Sequence, residues 1–101
     1  MAASAFFTKG WGRDAREAFL AAVEAARREY GSEGYTGTIA EKKSVVLVGD
    51  AVNWDDAERA ARRMIEQNDR RIEDRRGPAG AIRVGRCDGR GCWLFFGWAS
   101  R

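Results

Sequence analysis

The segment Cys92-Trp93-Leu94-Phe95-Phe96-Gly97-Trp98-Ala99 constrains the fold most, because both of its alternating residue sets are apolar. A strand presents one set to each face of its sheet, so Cys92/Leu94/Phe96/Trp98 and Trp93/Phe95/Gly97/Ala99 both call for cover. A central position in a sheet is predicted. With 101 residues, the chain has material for a single domain over 1–101 and for one core.

The remaining elements follow from periodicity and punctuation. Residues 13–30 carry an apolar stripe at helical spacing (Ala15, Ala18, Phe19, Ala22, Val23, Ala26, Tyr30), with Asp14 and Glu17 as a capping-box pair and Gly31 as the stop. Residues 35–40 and 44–48 read as strands joined by the polar turn Glu41-Lys42-Lys43, and so as a hairpin. Asn53 caps a second helix with Asp55, Asp56 and Glu58 in its first turns. Its buried stripe is Trp54, Ala57, Ala61, Met64 and Ile65, and it ends near Asn68. A charged connection over 69–78 leads to a strand at 79–84, and a Gly/Asp loop joins that to the last strand.

The order reads α-β-β-α-β-β, with a further short strand at 3–7 as an addition. One core favours an α+β fold in which two helices cover one face of an antiparallel sheet, a ferredoxin-like arrangement. Only one face of the last strand is then covered by helices. Trp93 and Phe95 would stand on the other, either open to solvent or hidden by the N-terminal strand or by a second subunit in a homodimer.

The residue supply narrows the chemistry. Histidine is absent, which removes the commonest general base and the usual metal ligand. Two cysteines cannot fill a tetrahedral zinc shell. The glycine-rich stretches at 31–37 and 85–91 are not followed by helices and lack the Gly-Lys-Ser/Thr ending of a phosphate loop. Asp55-Asp56 is explained by helix capping, and Cys92 has no positioned base. No enzymatic activity, metal or cofactor is expected.

The N-terminus shows no signal peptide and no apolar run long enough to span a bilayer. A cytoplasmic protein without membrane contact is expected. Cys87 and Cys92 flank a tight loop in which a disulfide is geometrically open, but in a reducing compartment they are expected as free thiols.

Charge is placed unevenly. Residues 1–53 hold seven Lys/Arg and seven Asp/Glu, whereas 54–101 hold eleven Arg and eight Asp/Glu, which accounts for the whole net charge of +3. Arg75, Arg76, Arg83, Arg86 and Arg90, with Trp93 and Phe95 as aromatic anchors, form the candidate partner-binding set. Rings beside guanidinium groups suit a protein hot spot and equally suit stacked single-stranded nucleic acid. The competing reading of the 69–78 loop is self-pairing by Asp69, Glu73 and Asp74. Acidic residues on the helices (Glu24, Glu29, Asp55, Asp56, Glu66) offer contact with a basic DNA-binding groove instead.

The blocks Gly34-Tyr35-Thr36-Gly37-Thr38-Ile39-Ala40-Glu41-Lys42, Arg71-Ile72-Glu73-Asp74-Arg75-Arg76-Gly77-Pro78-Ala79-Gly80-Ala81-Ile82 and Trp93-Leu94-Phe95-Phe96-Gly97-Trp98-Ala99-Ser100 resemble those of a family of small proteins carried by phages, prophages and other mobile elements. The resemblance implies a compact binder acting on host machinery, similar in size and style to anti-CRISPR and other counter-defence proteins. Its partner would be a host protein or ribonucleoprotein complex such as a CRISPR effector. The alternative is a small RNA or single-stranded DNA binder using the same surface.

Overall fold

The computed structural model describes residues 3–31, 37–87 and 91–100. Its elements are β1 (Ala3–Trp11), α1 (Ala15–Tyr30), a 3-10 turn (Ile39–Glu41), β2 (Val45–Ala51), α2 (Trp54–Glu66), β3 (Ala79–Val84) and β4 (Cys92–Ser100). The strands form one mixed sheet in the order β1-β4-β3-β2. β4 is antiparallel to both neighbours, while β2 and β3 are parallel. The fold is α+β, with two helices and a four-stranded sheet.

β4 is central, as its two apolar sets require, but its cover differs from the expectation of helices on one face. Phe95, Trp93 and Ala99 pack with Ala18, Phe19 and Ala22 of α1. Leu94, Phe96 and Cys92 pack with Ala57 and Ala61 of α2. The helices therefore lie on opposite faces, which corrects the ferredoxin-like arrangement. The physical reason lies in the β2-α2-β3 crossover, which commits α2 to one face. α1 is left to cover the other.

The expected hairpin of 35–40 with 44–48 is also replaced. Ile39–Glu41 is a 3-10 turn, 35 and 36 lie outside the described residues, and β2 pairs with β3 instead. At the N-terminus the short strand expected over 3–7 runs on to Trp11 and pairs with β4 along its whole length, from Ala3 opposite Ser100 to Trp11 opposite Cys92. Both outer neighbours of β4 make room for its rings by a missing side chain. A Cβ on Gly10 would lie 2.6 Å from Phe95 Cε2, and one on Gly80 2.8 Å from Phe96 Cε1. Glycine inside a strand here marks a ring laid across the backbone.

Helix limits follow the caps read from sequence. Asp14 accepts from the Glu17 amide at 2.8 Å and Asn53 from the Asp56 amide at 2.8 Å. Gly31, at φ 87°, closes α1 by donating to Arg27 O. No helix among the described residues is long and apolar enough to cross a membrane.

The segment expected to be a polar turn at 41–43 is an internal brace. Lys42 is only 3% exposed. Its Nζ donates to the carbonyls of Arg75 and Gly77 at 3.0 Å each and of Asp74 at 3.4 Å. Desolvation holds its pKa below the ordinary lysine value of 10.5, with the Asp74 and Glu41 carboxylates acting in the opposite sense. The Glu41 carboxylate accepts from the amides of Gly37 and Ser100, the latter at 3.0 Å. Two adjacent charged residues thereby hold the 74–77 turn and the end of β4. Lys42→Met preserves bulk but removes the donor from three inward carbonyls, and should lower stability by about 3 kcal/mol, read as a lower urea midpoint.

Candidate partner-binding surface

The residues proposed from sequence do not form one surface. Trp93 is 7% exposed and Phe95 0%. Phe95 meets Phe19 of α1 edge to face at 5.8 Å, and Trp93 donates its indole N–H to Gly12 O at 3.3 Å. Both lie under α1, so they are core, and the exposed aromatic face on β4 is corrected. The arginines divide between the two ends of β3, about 17 Å apart by strand rise. Arg75 and Arg76 precede it, and Arg83 and Arg86 stand at its far end. Arg90 lies outside the described residues.

Each group has its own setting. In the 69–78 connection Arg71 donates to both carboxylate oxygens of Asp69, at 3.0 and 2.8 Å. These bonds, with that from the Arg71 amide, hold the Asp69 carboxyl down at about 2. The Arg76 amide donates to Asp74 at 2.8 Å, and the Arg75 carbonyl accepts from Lys42. Much of this connection is thus self-paired. Arg83 and Arg86 are exposed. Arg83 stands in register between Asp50 of β2 and Trp93 of β4, beside a cleft also lined by Gly85 and Cys87. The Arg86 and Gly85 amides donate to Val52 O and Ala51 O at 2.7 and 2.8 Å, fixing this end of the sheet.

A disulfide joins Cys87 to Cys92 across the same end. This corrects the expectation of free thiols. The β3–β4 hairpin sets the two Cα atoms 6.2 Å apart, within the usual bonding range.

A different aromatic group is exposed. The odd-numbered residues of β1 face α2, and α2 packs over β3 and β4 more than over β1. That leaves a stripe. The Arg62 guanidinium lies 4.5 Å from the Phe7 ring centre, and Lys9 Nζ lies 4.7 Å from the Trp54 ring. Trp54 meets Trp11 edge to face at 5.9 Å, and Trp11 is 50% exposed. Arg62 is further held by Glu58 at 2.8 Å. The signal for this stripe is the period-two run Phe7-Lys9-Trp11 together with Trp54, the first residue inside α2. Ending the strand at Phe7 and assigning Trp54 to the buried stripe concealed it.

Chemically, the stripe offers apolar area edged by cations whose positions are set by the rings beneath them. It suits recognition of a surface carrying carboxylate or phosphate groups. The core and surface aromatics should separate cleanly by mutation. Phe95→Ala should cost about 3–5 kcal/mol, whereas Trp11→Ala should change stability by less than about 1 kcal/mol; chemical denaturation of both variants measures the difference.

No protein-family model, curated protein or solved structure matches this chain, so the reading of its surface rests on its own chemistry.

Proposed function

We propose that this chain is a non-enzymatic binding protein, an inhibitor of the phage or mobile-element counter-defence kind, that engages a host protein or ribonucleoprotein complex and blocks its nucleic-acid binding or nuclease recruitment. The observation that carries the reading is Trp11, half exposed and held edge-on by Trp54, with Lys9 and Arg62 seated on neighbouring rings. Trp and Arg are the residue types that concentrate binding energy at interfaces, and rings already fixed in place lose little freedom on docking. The resemblance of the three sequence blocks to mobile-element proteins supports the counter-defence assignment.

β1 and β3 are both antiparallel to β4, so Trp11 lies at the same end of the sheet as Arg83. Arg83 and Arg86 extend the basic character of that end, and Arg75 and Arg76 lie at the other. An acidic patch on the host protein, or a phosphate-bearing edge of a ribonucleoprotein, matches this arrangement. Direct stacking of bases on Trp93 and Phe95 has no place here, because α1 covers both. Inhibition by occupancy needs no reacting group, in keeping with a stripe built from rings, ammonium and guanidinium.

Nuclease-treated pull-downs from host lysate test the reading. Trp11→Ala and Arg62→Ala should each weaken capture of the partner by at least about tenfold with the circular dichroism spectrum unchanged. Full capture by both variants sinks the assignment of the stripe, and loss of all partners on nuclease treatment shifts it to nucleic acid.

The Cys87–Cys92 disulfide ties the end of the sheet that carries Arg83 and Arg86. Reduction of the purified protein should lower stability by about 2 kcal/mol by opening the loop it closes, read as a lower urea midpoint. A midpoint that reduction leaves unchanged overturns the stabilising role of the bond.

A further inference from the structure

We propose that the Cys87–Cys92 disulfide is a redox-sensitive clasp on the Trp11–Trp54 pair, so that its reduction by a dithiol loosens the pair and weakens partner binding. The inference rests on reading that stripe as the binding surface.

The two rings are carried by segments that meet at this bond. Trp54 opens α2, directly after Val52 and the cap Asn53. Ala51 O and Val52 O accept from the amides of Gly85 and Arg86 at 2.8 and 2.7 Å, and the next residue along is Cys87. On the other side Trp11 stands opposite Cys92 in the β1–β4 register. Directly opposed residues share a face of the sheet, so Cys92 lies beside Trp11 on the α2 side. Two bonds reinforce this neighbour: the Gly12 amide donates to Gly91 O at 3.0 Å, and the Trp93 indole donates to Gly12 O at 3.3 Å.

One path therefore runs from Trp54 through Arg86 and the disulfide to Trp11. The edge-to-face contact of the two rings, at 5.9 Å, closes it into a circuit. Pairing of β3 with β4 goes no further than Val84 opposite Cys92. Beyond that pair, the disulfide is what ties Cys87 to β4. Without it the covalent route between the two cysteines runs through residues 88–91. Opening the bond lengthens the circuit at the point where it crosses from the Trp54 side to the Trp11 side.

The bond is also placed to be reached from outside. Cys92 is fully buried, packed with Ala57, Ala61, Leu94 and Phe96. Cys87 is half-buried and lines an open cleft with Asp50 and Arg83, whose opposite charges offset each other. The accessible sulfur is thus that of Cys87. One thiolate of a dithiol bonds to Cys87 Sγ, and the S–S electron pair leaves on Cys92 Sγ, which takes a proton. The second thiolate then displaces Cys87 Sγ from the mixed disulfide, and that sulfur takes the second proton. The dithiol ends as a disulfide, and the cysteine pair has gained two electrons and two protons.

Hydrogen exchange of the purified protein, with and without dithiothreitol, tests the clasp in the absence of any host partner. On reduction the Gly12 and Arg86 amides should exchange at least about tenfold faster, while α1 amides keep their rates. Cys87→Ser leaves the core cysteine in place and should reproduce the reduced rates without dithiothreitol. In pull-downs from thiol-free host lysate, reduced wild type and Cys87→Ser should each capture at least about tenfold less partner than the oxidised protein. Unchanged exchange at Gly12 and Arg86 overturns the proposal whether or not a partner binds. Equal capture by the oxidised and reduced forms overturns it too, and leaves the stripe standing as the binding surface. Capture by neither form sinks the stripe and the control of binding together, and the exchange rates then tell that failure apart from failure of the clasp.

Discussion

β4 is enclosed on four sides, and this enclosure organises the molecule. Its edges are taken by β1 and β3 and its faces by α1 and α2. Phe95 and Phe96 are neighbours in sequence and point in opposite directions, each fully buried. Burying one large ring contributes on the order of 2–3 kcal/mol, so leaving either face open would forgo a sizeable part of the stability of a chain this small. Separation of the helices onto opposite faces follows from that demand. So do Gly10 and Gly80, which leave the neighbouring strands without a side chain where the rings lie.

A second consequence concerns where recognition can occur. Aromatics that are packed between helix and sheet are no longer available to a partner, and the indole of Trp93 has its donor occupied by Gly12. Outside, among the described residues, lie Tyr30 and the uncovered strip beside β1, where Phe7, Trp11 and Trp54 meet Lys9 and Arg62. Scaffold and surface thus draw on separate sets of rings. The charged residues divide similarly: Lys42 and Glu41 serve the interior, and Arg83 and Arg86 the exterior.

Much of the local structure was legible in the residues. Asp14, Asn53 and Gly31 mark helix ends because capping is a short-range matter of side-chain oxygens, amides and left-handed backbone. The double apolar alternation at 92–99 identified the central strand for a similarly local reason. The partnership of strands was not legible, since nothing in 44–48 distinguishes a hairpin neighbour from a crossover neighbour. Lys42 was hidden because a lysine between a glutamate and another lysine normally signals solvent, and its three carbonyl acceptors lie more than thirty residues away. The candidate site failed at the same level. Whether Trp93 or Trp11 is exposed depends on which helix covers which face, and that is a long-range outcome.

The pairing of β1 with β4 joins the third residue of the chain to the hundredth. On the ribosome, β1 therefore has no strand to pair with until β4 has been made. Phe6 and Phe7 have no β-strand to lie against while about ninety further residues are added, at a rate of roughly 5–20 per second. For several seconds the nascent chain carries an unpaired, apolar strand, a condition that favours capture by chaperones. Closure of the sheet is then timed by the appearance of its last strand.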